Sequence, residues 1–252
     1  QCVLFGSWIN QERNFFTTMK VMRNLSYSHI ASYKALHEII PDCKVGIACN
    51  MNHFIPKNPN KKKDVKWAKF YNQAYNDAIC YAMGYGQLIF PLGHSKKKGD
   101  FFDYFGVNYY ITNTCDGSKL GYDSSWPVDD MNRGTAAFGF RAICEHFHEL
   151  FPAKPIFITE NGTCDREDSD RCQFLYEHLK AISDLHYVKR YYQWSFLDNF
   201  EWDWGEDQKF GLVEYDYEND VCKPRRSCYM YSDVIKNKGF TKDIINKYEI
   251  KE

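Results

Sequence analysis

The sequence predicts an α/β fold in which helices cover a parallel β-sheet. Two observations support this prediction: strand-like and helix-like segments alternate along the chain, and the strand-like segments are apolar on both faces. The sequence shows no repeat, low-complexity tract or linker, so we expect residues 1–252 to belong to a single domain.

A long helix comes first in the predicted order of elements. Apolar and ring-bearing residues recur there at steps of three and four, as helical periodicity requires, and Pro41 marks its end. The predicted helix covers residues 14–40, and its stripe consists of Phe15, Met19, Met22, Leu25, His29, Tyr33 and Leu36. An apolar run over residues 44–50 then predicts a short buried strand.

The remaining elements continue the alternation. In order, they are a helix over 64–84, a strand over 103–110, a loop over 113–134, a helix over 136–151, a strand over 155–160, a helix over 170–184, a strand over 187–196, a hairpin near 212–221 and a helix over 226–238. Gly239 is predicted to cap the last helix. Only four of these segments are core strands, whereas a chain of about 250 residues is typical of a complete eight-stranded α/β barrel. The strand count therefore predicts half of such a barrel.

Composition argues against several classes of function. A net charge of -1 and a pI of about 6.8 provide no global field that would attract nucleic acid or an anionic membrane. No apolar stretch approaches the roughly 18 residues that span a bilayer. The ten cysteines are scattered without a C-x-x-C pair, which favours mostly buried free thiols over a metal centre or a disulfide framework. These features, and the absence of a signal-peptide pattern in Gln1 to Gly6, predict a cytoplasmic location.

Three segments place polar or aromatic clusters at strand ends, where an α/β barrel carries its site. The first runs from Ile158 to Gly162, where Asn161-Gly162 turns the chain after Glu160. A single glutamate before a turn is most often only solvated, so this segment alone is weak evidence. The segment also contains a glycosylation sequon at Asn161, which we predict cannot carry a glycan.

The second segment runs from Trp194 to Trp202, followed by Trp204 and Phe210. Indoles beside a carboxylate suit a sugar, because the apolar C–H face of the sugar stacks on tryptophan while its hydroxyls donate to the carboxylate. Packing of these rings in an aromatic core is an equally weighted alternative. The third segment ends in Asn108-Tyr109-Tyr110, where a tyrosine hydroxyl could hold a nearby carboxylate.

Together these segments resemble glycoside hydrolase family 1, the β-glucosidase and β-galactosidase family. The family patterns are I/V-T-E-N-G at Ile158 to Gly162, W-S-x-x-D-N-F-E-W at Trp194 to Trp202, R/K-F-G-L-x-x-x-D-Y at Lys209 to Tyr217, and D-F/Y-x-G-x-N-Y-Y at Asp103 to Tyr110. Their order and spacing match over nearly the whole chain. The resemblance implies a (β/α)8 TIM-barrel fold, of which this chain covers about the last four β/α units.

The resemblance also implies roles for individual residues. Glu160 would be the nucleophile, and Tyr110 would hydrogen-bond its carboxylate. The implied substrate-binding residues are Glu201 and Trp202 for the sugar hydroxyls, Trp194 as a stacking floor, Phe210 in the pocket wall, and Asn108 and Asn50 near the cleavage point or the aglycone. The implied reaction is retaining hydrolysis of a β-linked glycoside or oligosaccharide in two steps, without a metal or organic cofactor.

One part of the family pattern is missing from this sequence. The acid/base glutamate of the family lies in an N-E-P motif, which does not occur here, and Gln1 to Gly6 resembles the segment directly after that motif in archaeal-type members. The resemblance therefore implies that the chain begins just after the acid/base and hydrolyses glycosides poorly by itself. A missing N-terminal half or a second copy of the chain would then be its partner.

Two alternative functions stay open on the sequence alone. One is a half-barrel that binds a sugar or a partner without catalysis, and the other is a structural half-barrel that dimerises. The family pattern is also altered around Trp126-Pro127 and in the loop from 56 to 100, so the glycone and the aglycone are not defined by the sequence.

Overall fold

The computed structural model of the protein describes residues 13–251, and the segment from Gln1 to Gly6 lies outside them. The described helices are α1 (Phe15–Ile39), α2 (Lys62–Tyr71), α3 (Ala78–Tyr85), α4 (Ala137–Leu150), α5 (Arg171–Ile182), α6 (Arg226–Asn237) and α7 (Lys242–Lys247). The strands are β1 (Gly46–Pro56), β2 (Tyr104–Asp116), β3 (Lys119–Gly121), β4 (Ile156–Asn161), β5 (Val188–Gln193), β6 (Val213–Asp216) and β7 (Val221–Pro224).

Four parallel strands form the centre of the described fold, in the order β1-β2-β4-β5. The predicted count of four core strands is therefore confirmed. The hairpin near 212–221 is also confirmed, because β6 and β7 pair antiparallel. The carboxyl ends of the four parallel strands meet at one edge, which gathers the three clusters that the sequence singled out.

The two faces of this sheet differ in the described residues. One face is packed by helices, and its strand residues are Ile47, Phe105, Val107, Ile156 and Ile158, all of them buried. Phe140 and Phe147 of α4 pack against this face. The opposite face, called the open face below, includes exposed Asn50 and Tyr192.

The predicted loop over 113–134 is wrong at its start. Strand β2 continues to Asp116 and turns through Gly117, at φ 58°, into the short antiparallel strand β3. The polar residues of this segment suggested a loop, but Thr112 and Thr114 are buried inside the strand pairing. Alternating threonines form a strand here because their β-branched side chains suit a pleated, half-buried surface.

The predicted helix over 64–84 is interrupted by a π-helical turn, Asn72–Asp77. Its buried residue Asn76 accepts from the backbone N–H of Asn52 over 3.2 Å and donates to the carbonyl of Asn52 over 2.8 Å. Asn52 lies at a register shift in β1, where the strand pairing leaves backbone groups without partners. The π turn therefore holds a side chain that satisfies the backbone of β1 opposite the extra residue of β2.

Four of the seven residues predicted as the stripe of α1 lie on its buried side, namely Met19, Met22, His29 and Tyr33. Met19 is buried, whereas Phe15, Leu25 and Leu36 are exposed among the described residues. Met19 and Met22 pack in an apolar cluster with Ala78 and Ala82 of α3. The helix is also held by polar contacts, such as the bond between His29 and the carbonyl of Phe101 at 2.7 Å. Periodicity identified the helix correctly, and only part of the predicted stripe faces away from the rest of the fold.

The end of α6 lies close to its predicted position. The left-handed residue there is Lys238, at φ 57°, and Gly239 comes one position later, so the predicted cap is displaced by one residue. All nine cysteines of the described part are free thiols, and five of them are buried. No helix among residues 13–251 has the length and apolar character to cross a membrane.

Candidate active site

A β-bulge places Glu160 on the open face of the sheet. Val107 pairs with Ile158, but the next residue, Asn108, pairs with Glu160, so Thr159 is an extra residue in β4. Without this extra residue, strand alternation would turn Glu160 toward the helices. With it, Glu160 shares a face with Asn108 and with Tyr110, two residues further along β2. The hydroxyl of Thr159 donates to Oδ1 of Asn108 over 2.5 Å, which ties the bulge to its neighbour.

Tyr110 holds the carboxylate that the bulge exposes. Its hydroxyl donates to Oε2 of Glu160 over 2.6 Å. Burial raises the pKa of Glu160, and the hydrogen bond from Tyr110 opposes part of this rise. Burial first, and then the charge of Glu160, keeps the pKa of Tyr110 well above its usual range, so the phenol remains a donor at neutral pH.

Glu201 supplies a second carboxylate near the first. It lies in the loop after β5, where its N–H donates to the carbonyl of Gly205 over 2.7 Å. Trp202 follows at φ 51°, a left-handed conformation that is rare for a large residue. Burial raises the pKa of Glu201, the charge of Arg133 opposes this rise, and the charge of Glu160 adds to it.

A buried ion pair holds the loop that carries Glu201. The guanidinium of Arg225 donates to both carboxylate oxygens of Asp198, over 3.1 and 2.9 Å, and to the carbonyl of Gly211 over 2.8 Å. Asp198 also accepts from the N–H of Gly211 over 2.9 Å. Arg225 thus holds both Asp198 and Gly211, which flank the loop. Asp198 lies three residues before Glu201.

Trp194 follows β5 and is fixed against the end of β4. Its N–H donates to the carbonyl of Asn161 over 2.9 Å, and its own carbonyl faces Gly162 so closely that a Cβ there would lie 1.8 Å away. Asn161 is fully buried and donates to the carbonyl of Tyr109 over 2.8 Å. The sequon at Asn161 therefore lies where a glycan has no space, as predicted.

Phe210 and Arg133 line the same region. The ring centroids of Phe210 and Tyr110 are 6.2 Å apart in an edge-to-face arrangement. The guanidinium carbon of Arg133 lies 5.4 Å from the centroid of Phe210 and 5.8 Å from that of Tyr110. Sequence reasoning missed Arg133, because it lies in an irregular stretch that matches none of the family patterns.

Two predicted residues, Asn50 and Trp202, lie at the edge of this cluster. Asn50 pairs in register with Asn108, so it shares the level of Glu160 two strands away, and its Oδ1 accepts from Tyr75 over 3.1 Å. Trp202 is half exposed beside Glu201. The structure thus brings Glu160, Tyr110, Phe210 and Glu201 together directly, with Asn108 and Trp194 adjoining and Asn50 and Trp202 at the margin.

This arrangement has a definite chemical capacity. A carboxylate that is partly desolvated and held by one phenol can attack an electrophilic carbon. A second carboxylate and aromatic side chains beside it can receive hydroxyls and the apolar face of a sugar. Within residues 13–251, no group of three or more His, Cys, Asp or Glu side chains is arranged to hold a metal ion.

Comparison with known proteins gives matches along most of the chain. The profile described as Glycosyl hydrolase family 1 matches residues 5–240. A 1,4-beta-D-glucan glucohydrolase of Thermotoga neapolitana is 27% identical, over 94% of this chain and 61% of the relative. A beta-glycosidase structure from Pyrococcus horikoshii gives a TM-score of 0.85 at 29% identity, covering 99% of this chain and 61% of that one. A Thermotoga maritima beta-glucosidase in complex with glucoimidazole gives 0.82 at 25% identity, covering 94% and 61%.

These matches bear on the length and the fold of the chain. The chain spans about 61% of the length of the three relatives just described. The likeness in fold confirms that the four-stranded parallel sheet is part of an eight-stranded α/β barrel of the TIM type.

Proposed function

The chain belongs to glycosyl hydrolase family 1, and from that premise we propose that it is the C-terminal half of a single barrel domain and carries the nucleophile of a retaining β-glycosidase, Glu160. The observation that supports this most directly is the hydrogen bond of 2.6 Å from Tyr110 to the Glu160 carboxylate. This hydrogen bond stabilises the ionised form of Glu160, whose pKa is raised by burial.

The proposed reaction has two steps. In the first, the Glu160 carboxylate bonds to the anomeric carbon while the bond to the aglycone oxygen breaks, and an acid protonates the departing oxygen. In the second, the acid of the first step, now deprotonated, takes a proton from water. The water oxygen displaces Glu160 from the anomeric carbon and releases the sugar. The two carboxyl groups of such a pair lie about 5–5.5 Å apart.

The other site residues would bind the sugar. Glu201 is a half-buried carboxylate and would accept hydroxyl hydrogen bonds, with Trp202 beside it. Trp194 would offer its indole to the apolar face of the ring, and Phe210 would close the pocket behind Tyr110. Asn108 and Asn50 would lie toward the cleaved bond or the aglycone.

No N-E-P motif is present in this sequence. The proposed acid/base therefore belongs to another part of the barrel. In the described residues, β1 and β5 each have a parallel partner on one side only. Both edges could receive further strands, so the proposed partner is an N-terminal half, with self-association as the alternative. Hydrolysis by these residues alone should be weak, since general acid catalysis contributes roughly 10²–10⁴-fold.

The substrate class is a β-linked glycoside or oligosaccharide. The name of the Thermotoga neapolitana relative, a glucan glucohydrolase, supports a glucose-type glycone. A β-glucoside is accordingly the first substrate to test.

The decisive experiment uses a leaving group that needs no acid. A 2-deoxy-2-fluoro-β-glucoside of dinitrophenol glycosylates a nucleophile without protonation of the phenolate, so the missing acid/base does not mask the result. We expect intact-mass spectrometry to show one added fluoroglucosyl group, located on Glu160 by peptide mapping. Glu160→Gln should stay unlabelled, whereas Glu149→Gln, on the exposed end of α4, should be labelled like the unsubstituted chain.

The second candidate function is a half-barrel that binds sugar without catalysis, which the absent N-E-P motif favours. It predicts calorimetric binding of a glucose-like inhibitor together with no labelling of Glu160. Labelling abolished by Glu160→Gln would exclude it.

A further inference from the structure

Arg133 is fixed in the candidate site but has no part in the reaction proposed above. Its Nε and Nη2 donate to Oδ2 of Asp129 over 2.8 and 2.5 Å. Its backbone N–H donates to Oδ1 of the same carboxylate over 3.0 Å. The Asp129 side chain is 0% exposed, so one buried carboxylate fixes both the backbone and the guanidinium of Arg133.

The far side of the guanidinium faces the rings that surround the nucleophile. Its carbon lies 5.8 Å from the centroid of Tyr110 and 5.4 Å from that of Phe210, within the range of cation–π attraction. Tyr110 donates to Glu160, so Arg133 packs near the ring that carries this donor. This is a packing relationship as well as an electrostatic one.

The charges around Arg133 indicate whether the site suits an anionic or a neutral substrate. Arg133 pairs with the carboxylate of Asp129 and acts on that of Glu201, while Tyr110 donates to the carboxylate of Glu160. These three anions outnumber the single charge of Arg133. An anionic substrate group would enter a region that is already net negative, and Asp129 already occupies the guanidinium fork. A role in binding a neutral sugar through the carboxylates is favoured over a role as an anion receptor.

We propose that Arg133, clamped by Asp129, is a positioning residue of the glycosidase site that holds Tyr110 in place and puts its positive charge in the pocket where Glu201 accepts sugar hydroxyls. This inference rests on the proposed function. It names a side chain outside the family patterns given above as a determinant of sugar affinity.

The inference predicts an effect that depends on pH. Glu201 accepts hydroxyl hydrogen bonds as a carboxylate and loses this capacity as the pH falls through its pKa. Arg133 lowers that pKa, so its removal should move the loss to higher pH. The nucleophile is affected less directly, because Arg133 reaches it through Tyr110.

The experiment measures kcat and KM for an aryl β-glucoside across the acid range, on the protein in the length that its source produces. We expect Arg133→Met to raise KM by about tenfold on the acid side, since hydrogen bonds to a charged acceptor are stronger than those to a neutral one. The rise should be smaller at neutral pH, and kcat should change less than KM. Arg133→Lys should recover much of the loss.

Two further variants serve as controls. Arg133→Met leaves Asp129 buried without its partner, so the double variant Asp129→Asn with Arg133→Met removes that charge and should show the same pH dependence. Arg141→Met removes a comparable arginine, paired with Asp184 on the outer helices, and should match the unsubstituted protein.

The possible results separate the two levels of the proposal. If unsubstituted protein is not labelled at Glu160 by the fluoroglucoside, the proposed function fails and this inference fails with it. Labelled protein with equal KM increases at every pH, or with no change in Arg133→Met, overturns the inference alone. A preference for a 6-phosphorylated glucoside that Arg133→Met abolishes would also overturn it, because Arg133 would then bind the substrate anion.

Discussion

Tyr110 and Glu160 lie on adjacent parallel strands, and their 2.6 Å hydrogen bond depends on one extra residue, Thr159, in the strand that carries the carboxylate. The bulge turns Glu160 to the open face, and Tyr110 then supplies the donor that opposes the effect of burial on its pKa. The extra residue Thr159 therefore determines both the orientation of the proposed nucleophile and the hydrogen bond that lowers its pKa.

The first prediction concerns this bond. In Tyr110→Phe, burial of Glu160 is no longer opposed by the phenol, so its pKa should rise further. In the protein of the length that its source produces, the acid limb of kcat/KM should move to higher pH by about one to two units, since a hydrogen bond to a charged group is worth roughly 1.5–3 kcal/mol. Tyr215→Phe, which removes a phenol that donates to Asp220 on the β6–β7 hairpin, should leave the profile unchanged. An unshifted limb in Tyr110→Phe would contradict this role.

The second prediction concerns the close approach between Gly162 and Trp194. A Cβ at Gly162 would lie 1.8 Å from the carbonyl oxygen of Trp194, so Gly162→Ala must displace backbone of the site. We expect a loss of about 1–3 kcal/mol in the free energy of unfolding, measured with urea, together with a weaker affinity for a glucose-like inhibitor. Gly121→Ala is the matched control, because its nearest neighbour, Thr114 Oγ1, is 3.7 Å away. Equal effects of the two substitutions would refute the steric argument.

The third prediction concerns the arginine that ties the Glu201 loop. Arg225 and Asp198 have side chains 7% and 1% exposed, and Arg225→Met leaves the carboxylate buried without its partner. Breaking such a pair costs about 3–5 kcal/mol. The adjacent Arg226 pairs with Glu249 at the surface, where an ion pair contributes about 0–1 kcal/mol. Urea denaturation should therefore separate Arg225→Met clearly from Arg226→Met, and similar midpoints would mean that the buried pair is not structural.

The fourth prediction concerns acid stability. Burial lowers the pKa of His178 to about 3, from an ordinary value of 6.5. The unfolded chain therefore takes up this proton first, so the stabilising contribution of neutral His178 is complete above pH 6.5 and is lost as the pH falls toward 3.

His178→Leu tests this contribution with a side chain of similar size. The slope of unfolding free energy against pH should decrease by up to one proton, or about 1.4 kcal/mol per pH unit, in that window. His186→Leu, at an exposed position, is the control. An unchanged slope in His178→Leu would show that the ring is not held neutral by the fold.

Much of the fold could be predicted because its signals are local. The alternation of elements, the four core strands and the hairpin near 212–221 follow from periodicity and turn residues, which act over short stretches of chain. The π turn at Asn76 could not be predicted, because it depends on the register shift between β1 and β2 at Asn52, which lies 24 residues earlier. The exposed side of α1 likewise depends on which elements meet it.

The candidate site divides in the same way. Glu160, Tyr110 and Glu201 lie in motifs that could be read directly, whereas Arg133 is recognisable only from the distances that join it to Tyr110 and Phe210. The bulge at Thr159 could not be predicted, because the motif from Ile158 to Gly162 would suit an ordinary strand end equally well. Long-range geometry and register are what the sequence alone did not determine.

The strand order β1-β2-β4-β5 also has a consequence for synthesis on the ribosome. Each core strand pairs with the core strand made just before it, so the sheet can grow in the direction in which the chain emerges. Tyr110 is translated before Glu160, and the loop with Glu201 is translated after both. We therefore expect the carboxylate of Glu160 to meet the phenol of Tyr110 on a nascent sheet before the loop proposed to bind the sugar has left the exit tunnel.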